Sequence, residues 1–515
     1  MTKKTIDLTG DNTKERVFSL GFQALQAFTV SIEVEVKRGM PKFNIIGLAQ
    51  NAVLEGKSRV SAALAQLGIN CSDYSIIVNL MPAAIKKEGT LLDLAIAVAI
   101  LSALGKINKE EIENSLFLGE LSLKGEILPV QGAMAASLFA AEQGYKKLFL
   151  ASENQTPLSY FKDDLSIVGI QSLQELIEVM AGNKQGQSLK TVALKTSKTY
   201  SWHDIKGQYK VKRALQIAVA GEHNVLLLGP PGVGKSFMAK RLNAIYPAPN
   251  TQEQKEIVKI KSLSKQYAQQ YDASRPFQMP HHTSSLAGMV GGGRPFSMGE
   301  FTRAHKGILC LDEITEFRRD ILESLREALE NHEISVVRSE GHFTLPSEFM
   351  LVGTSNLCPC GGRGENKNYC QCSYREIQKY MDKLSKPIRE RIDMVIYIPK
   401  ISWSSVKQDQ KQFEDDQSVC NKILQARKQQ AKRYLSSQKQ SNARVNSKLF
   451  WQKNPVSLVV DQQIENWTQK NLLSFRRVEK MLRVARSIAD YEQSKTVELK
   501  HVYEAYSYQH WPKIE

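Results

Sequence analysis

The chain has 515 residues, 42% hydrophobic and 24% charged, which is too long for a single core and ordinary in composition for folded domains. Its formal net charge of +16 favours a polyanionic partner. The polar opening run carries no secretion-signal core, and the longest apolar stretch, Leu91 to Gly105, is 15 residues with Asp93 inside it; a bilayer needs ~20, so a cytoplasmic protein without a membrane partner is expected. In chain order, residues 1–16 read as a polar tail and 17–175 as an α/β domain. Val30 to Val36 alternates with period two, as a half-buried strand does, and Ser75 to Leu80 makes a second strand. The apolar run from Leu92 reads as a buried helix, Leu121 to Leu128 as strand, turn and strand, and Lys147 to Leu150 as another strand. Residues 176–200 read as a linker, because from 181 onward the chain has four lysines, no acids and no apolar periodicity. A second α/β unit spans 201–400, and a mostly helical region spans 401–515.

The second unit carries the chemistry. Asn224 to Leu228 reads as a short buried strand, followed directly by Gly229, Pro230, Pro231, Gly232, Val233, Gly234, Lys235 and Ser236. A helix with an apolar stripe (Phe237, Met238, Leu242) comes next, so GxxxxGK[ST] stands in the strand–loop–helix setting that gives it meaning. Such a loop turns backbone N–H groups onto phosphate oxygens at the positive end of a helix. Lys235 is expected on the β/γ-phosphates of ATP, and the Ser236 hydroxyl on its Mg²⁺. Ile308 to Glu313 is an apolar strand ending in two acids, Asp312 for the Mg²⁺ shell and Glu313 to polarise the attacking water. A third strand, from Leu351, ends in Asn356, placed either to bond the γ-phosphate or lytic water or to serve as an ordinary turn residue.

Cys358, Cys360, Cys370 and Cys372 fall within 15 residues. A disulfide inside Cys-x-Cys would be strained, so four thiolates suit a closed tetrahedral Zn²⁺ site, with a metal-free cluster as the alternative. Between Asn421 and Phe450 lie eight Lys/Arg and no Asp/Glu. Arg427, Lys428, Lys432 and Arg433 in that run are read as contacts to DNA, or more plainly as a solvated helix face.

These motifs stand together with Asp204-Ile-Lys-Gly-Gln208, Pro280-His-His-Thr283, Gly291-Gly-Gly293, Gly299-Glu300 and Ala304-His305. Cys-Pro-Cys-Gly from Cys358, Arg391-Ile-Asp393 and the run from Leu482 to Asp490 complete the set. With them the chain resembles AAA+ ATPases of the magnesium-chelatase clade, and most nearly the ComM/YifB family, over almost its whole length. The resemblance implies an α/β fold: a P-loop parallel-sheet core, a Lon-protease-like N-terminal domain and a helical C-terminal lid. It places Ile205, Gly207 and Gln208 against adenine, makes Arg391 the finger that reaches a neighbour's γ-phosphate, and makes Arg476 the sensor 2 arginine. The family's usual Pro-Leu-Leu-Asp-Arg-Ile-Asp appears here as Pro387-Ile-Arg-Glu-Arg-Ile-Asp393, so Arg389 rivals Arg391, though the register with Ile392-Asp393 favours Arg391. Two trans-acting arginines imply a ring of copies, most often a hexamer in this clade. The same resemblance marks the Cys-Pro-Cys-Gly insertion as a ComM/YifB feature, and implies that the hairpin read over Ile334 to Leu345 faces a pore. Its flanking Arg338 and His342 are expected to touch DNA phosphates.

Residues 17–175 resemble the proteolytic domain of Lon, with Gly119-Glu120, Gly125 and Pro129-Val-Gln-Gly132 as landmarks. That family's Lys-Asp-Gly-Pro-Ser-Ala-Gly is matched by Lys87-Glu-Gly-Thr-Leu-Leu-Asp93, which puts Leu91 where the nucleophile belongs. The matching start of the lysine-bearing helix, Gly132 to Ser137, has no lysine. Without its dyad the domain is not a protease, and a scaffolding role is expected. By resemblance the chain is an ATP-driven DNA translocase or helicase promoting branch migration on single-stranded or branched DNA. The alternative is a chelatase-like remodeller of a protein or metal-insertion partner.

Overall fold

The computed structural model describes residues 16–87, 89–154, 165–188, 200–264, 272–293, 296–338, 341–364, 370–400, 415–435, 440–470 and 473–511. It divides into two compact units, the first made of 1–195 with 254–273, the second of 196–253 with 274–515.

The first unit is built on an eight-stranded mixed sheet in the order β10-β9-β8-β5-β1-β2-β4-β3. The strands are β1 Val17–Gln23, β2 Gln26–Arg38, β3 Lys42–Ile46, β4 Tyr74–Met81, β5 Ser115–Phe117, β8 Lys147–Ala151, β9 Ser166–Ile170 and β10 Gln187–Ser188. A small hairpin, β6 Glu120–Leu121 with β7 Ile127–Leu128, stands outside that sheet. The strands expected near 30, 75, 121, 127 and 147 are all present. The apolar stretch forms the helix Asp93–Ala103, with every residue from Asp93 to Ser102 buried. Its one acid is neutralised there: Arg59 Nε donates to Asp93 Oδ2 at 2.6 Å and Nη2 to Oδ1 at 3.2 Å. Lys87 is buried too, donating to the carbonyls of Gly47 and Leu80 at 2.9 and 3.1 Å and to that of Pro82. Burial pulls its pKa down. Leu91 packs against the cluster around Leu20 and Leu118, an apolar side chain among apolar neighbours.

Two domain expectations change. Residues 176–188 are not a linker: the helix Leu173–Met180 runs into them, and β10 pairs antiparallel with β9. The rest of the expected linker, 189–199, lies outside the described residues. Residues 254–273, expected inside the ATPase core, belong to the first unit, where Val258 and Ala273 pack on Met134 and Leu138.

The second unit holds a five-stranded, fully parallel sheet in the order β12-β15-β18-β11-β19. These are β11 Val225–Leu228, β12 Phe277–Gln278, β15 Ile308–Leu311, β18 Met350–Ser355 and β19 Met394–Tyr397. Two hairpins project from this framework, β13 Gly291–Gly292 with β14 Ser297–Met298 and β16 Glu333–Arg338 with β17 Gly341–Pro346. Sheet strands and C-terminal helices share one core that runs from Trp202 to Ala505. Parallel strands buried on both faces read as unbroken apolar runs, and β11 and β15 do so, while β18 is buried throughout but ends in Gly353, Thr354 and Ser355.

Within the helix Asp416–Arg433, Val419, Ile423, Ala426 and Gln430 face the core. This orientation corrects half of the expected DNA cluster. Arg427 turns inward: Nη1 donates to Glu222 Oε1 at 2.6 Å and Nη2 to the carbonyl of Val219 at 2.6 Å. Arg433 makes a bidentate pair with Asp490 at 2.6 and 2.9 Å. Both guanidiniums are spent on structural carboxylates, whereas Lys428 and Lys432 are exposed.

Candidate nucleotide site and cysteine cluster

Gly229 to Ser236 joins the carboxyl end of β11 to the helix Lys235–Ile245, at the carboxyl edge of the parallel sheet, where open α/β sheets bind ligands. Gly232 and Gly234 sit at φ 78° and 88°, backbone that glycine adopts without strain, and Gly234 caps the helix. A Cβ on Gly229 would stand 2.5 Å from the carbonyl oxygen of Ile398, so that position also requires glycine. Lys235 Nζ donates to the carbonyls of Gly229 and Pro230 at 2.7 and 2.9 Å and to Asn356 Oδ1 at 2.9 Å. Burial lowers its pKa, and Asp312 and Glu313 oppose that shift.

Asn356 is thus brought to the P-loop lysine by the neighbouring strand, β18, as a γ-phosphate sensor requires. Ser236 Oγ donates to Asp312 Oδ1 at 2.6 Å. Two oxygen ligands on one octahedral Mg²⁺ stand about 2.9 Å apart, so these residues fit the ion with a small opening. Glu313 is exposed and held at φ 51°, a left-handed backbone that residues other than glycine seldom adopt.

Thr354, which sequence reasoning passed over, fixes both acids. Its hydroxyl donates to Asp312 Oδ1 at 2.6 Å and accepts the N–H of Glu313 at 2.9 Å, and the residue is fully buried. The signal was available: a threonine two residues before Asn356 in an apolar strand. The pairing of Leu311 with Gly353 sets it beside Asp312.

On the base side, Ile205 is buried and Gln208, at φ 57°, donates Nε2–H to the carbonyl of Pro399 at 2.7 Å. Arg241, one turn along the P-loop helix from Phe237, stacks on its ring at 3.3 Å and pairs with Asp204 at 3.0 Å.

Arg391 and Arg476 lie elsewhere. They line an open cavity of about 1140 Å³ together with Asn224, Glu390, Asp393 and Lys480. Asn224 precedes β11 and Asp393 precedes β19, so this cavity is at the amino edge of the sheet and Lys235 at the carboxyl edge. Four residues of β11 intervene, about 13 Å. Arg391 pairs with Glu330 at 2.5 Å and donates to the carbonyl of Pro387 at 2.9 Å. Arg476 is 80% exposed, with Glu390 at 3.0 Å. Arg389 is tied to its own segment through Leu384 O at 2.7 Å and Asp382 at 2.8 Å.

The four cysteine sulfurs all lie within 4.8 Å of one another, and none forms a disulfide. Sγ separations of 3.4 Å (Cys358–Cys360), 3.6 Å (Cys358–Cys370) and 3.7 Å (Cys360–Cys370) fall close to the roughly 3.8 Å that thiolates about 2.3 Å from one tetrahedral ion require. The N–H groups of Gly362 and Arg363 point at Cys360 and Cys358 from 3.4 and 3.3 Å, the kind of outer contact that steadies metal-bound thiolates.

The second hairpin has the expected form, with Val337 opposite His342 and Arg338 opposite Gly341 next to the turn. His342 is exposed, as is Val337 at 75%. His281 bonds Thr283 at 2.8 Å, and its ring lies 4.2 Å from that of His282 at a tilt of 34°. Among the described residues no helix is long and apolar enough to cross a membrane.

Three family descriptions match consecutive parts of the chain: subunit ChlI of Mg-chelatase over 32–154, magnesium chelatase subunit ChlI over 201–406, and its C-terminal region over 414–509. The chain is similar to YifB of Escherichia coli, 32% identical over 93% of this chain and 94% of that one. It is 33% identical to the competence protein ComM of Haemophilus influenzae over 96% of each. It is also 29% identical to Lon protease 2 of Bacillus subtilis over 171 residues, 30% of each chain.

Proposed function

We infer the function from one premise: the chain belongs to the ComM/YifB family of magnesium-chelatase-like AAA+ proteins. It is an ATP-hydrolysing motor whose track is single-stranded or branched DNA, working as a ring of copies, and what that reading needs first is the nucleotide site. The single observation that carries it is the convergence of Lys235, Ser236, Asp312 and Asn356 through hydrogen bonds of 2.6 to 2.9 Å. Lys235 holds the β/γ-phosphates, Glu313 takes the proton of the attacking water, and Asn356 orients that water or the γ-phosphate. Ser236 and Asp312 are the residues that would hold Mg²⁺, which when bound would supply positive charge against the phosphate oxygens. Arg391 and Arg476, a strand's length from Lys235 in their own chain, serve a neighbour's nucleotide, which makes the assembly a ring and, by the clade's habit, a hexamer. The cysteines hold a structural Zn²⁺ beside the Asn356 strand end.

DNA as the track rests on the likeness to ComM and on the net charge of +16. Lys428, Lys432, His342 and Arg338 are its contacts. The test is ATPase activity with and without single-stranded DNA, together with binding across a salt series. Stimulation by DNA is expected, and replacing Lys428 and Lys432 by Gln should flatten the log–log salt slope by about 1.4, at about 0.7 per phosphate contact on a single strand. ATPase indifferent to every DNA, with no salt-sensitive binding, would turn the reading to the chelatase-like remodeller that the ChlI match also accommodates.

A further inference from the structure

Asn224 spends every polar group it has at one junction. Its N–H donates to Asp393 Oδ2 at 2.9 Å, and its carbonyl accepts from the N–H groups of Asp393 and Met394 at 2.8 and 3.0 Å. Its side-chain Nδ2 donates to the carbonyl of Arg391 at 3.0 Å, while Oδ1 accepts from Leu351 N–H at 2.9 Å. The residue therefore ties three segments together: the start of β11, which ends in the P-loop; the start of β18, which ends in Asn356; and the backbone of Arg391 itself. His223 next to it is wholly buried, with Nε2 2.7 Å from Ser487 Oγ and Nδ1 3.6 Å from Asp393, so the junction is braced from behind.

An arginine that must reach across a subunit boundary has long side-chain freedom, and its aim is set by where its Cα is held. Among the described residues, the side chain that donates to the Arg391 carbonyl is that of Asn224, through Nδ2. We propose that Asn224 is a positioning residue that aims Arg391 at the neighbour's nucleotide and couples that aim to the two strands carrying this chain's own P-loop and Asn356. The proposal rests on the reading of Arg391 as trans-acting. Nucleotide-driven shifts of β11 or β18 pass through one amide to the Arg391 backbone, which gives successive subunits a path by which occupancy of one site alters hydrolysis at the next.

Complementation in mixed assemblies tests this. Asn224→Asp keeps the acceptor for Leu351 and removes the donor to Arg391; Asn224→Ala removes both. Each should bind ATP like the parent and lose turnover on the order of 10- to 100-fold, the scale of a misplaced reacting group. Mixed with Glu313→Gln, which has an intact arginine and no base, either variant should regain activity well above the mean of the two alone. Mixed with Arg391→Ala it should regain none, since both lack an aimed arginine. Wild-type turnover by Asn224→Asp would overturn the proposal, as would failure to complement Glu313→Gln while Arg391→Ala succeeds. If both Asn224 variants fail to fold, Asn224 is a stability residue and the proposal falls. If Arg391→Ala itself does not complement Glu313→Gln, the trans reading fails first and this inference with it.

Discussion

Replacing Glu222 by Gln should cost the second unit about 3–5 kcal/mol, the range for leaving a buried charge without its partner. Glu222 lies in the interior between two guanidiniums, Arg427 at 2.6 Å and Arg444 at 3.0 Å, and accepts from Tyr246 OH at 3.0 Å. Arg444 reaches on to Glu348 at 2.8 Å, and Lys306 meets Glu348 at 2.7 Å. Three cations are balanced by two carboxylates, and the substitution leaves one. Amide for carboxylate keeps the shape, so the loss reports charge rather than packing. At 2–4 °C per kcal/mol it predicts a fall in melting temperature of roughly 6–20 °C. Adding Arg427→Met should recover part of the loss, because it removes one of the stranded cations. The pH dependence follows with a definite sign. Burial alone would raise both carboxyls, but Arg427 and Arg444 hold Glu222 well below the usual range, and Arg444 and Lys306 bring Glu348 down to about 2. The stabilisation from each carboxyl is then complete above the ordinary value of 4.5 and is lost as pH falls below it, for Glu348 toward about 2. Thermal melts of wild type and Glu222→Gln should converge on acidification over that window. A variant within about 0.5 kcal/mol of wild type at neutral pH, the spread of ordinary surface changes, would refute the reasoning.

Other outcomes are equally definite. Lys235→Ala should abolish ATP binding, whereas Glu313→Gln should bind ATP and lose turnover by about 10²–10⁴-fold, read by equilibrium binding beside phosphate release. Thr354→Val, which keeps volume but breaks both hydrogen bonds to the acids, should slow turnover about 10–100-fold with ATP binding retained; Thr354→Ser should restore most of it. Elemental analysis should find about one Zn²⁺ per chain, and Cys358→Ser or Cys372→Ser should release it and lower the melting temperature.

The nucleotide loop was legible because its residue types are dictated by backbone geometry: glycines at φ 78° and 88°, then a lysine and a hydroxyl at a fixed offset. Asp312 and Glu313 were legible as acids ending an apolar strand. Thr354 and Asn224 were not, since each acts through partners that only strand register brings near. The basic helix was misjudged for a reason recoverable from the sequence. At ~100° per residue, Arg427 and Arg433 lie within about 70° of the centre of the stripe of Val419, Ile423, Ala426 and Gln430, while Lys428 and Lys432 lie about 150–170° away. Charges flanking a buried stripe seek buried acids, and Glu222 and Asp490 are 205 and 57 residues distant. Their identity as partners is a property of the fold. The linker was misplaced because a two-residue edge strand leaves almost no periodic trace.

The first unit's borrowed stretch, 254–273, bears on how this protein can be taken apart. A single scission between 189 and 199 looks like the natural way to free an amino-terminal piece, yet that piece would lack Val258 and Ala273 and would present Met134 and Leu138 bare. It would also forfeit the Ser262 carbonyl that receives the Gly132 N–H at 3.1 Å, and the Leu263 carbonyl that receives Gln131. Proteolytic fragments should therefore stay associated after such a nick. An exchange of this unit between relatives would have to carry two separate gene segments, one from either side of the P-loop, to arrive with its core closed.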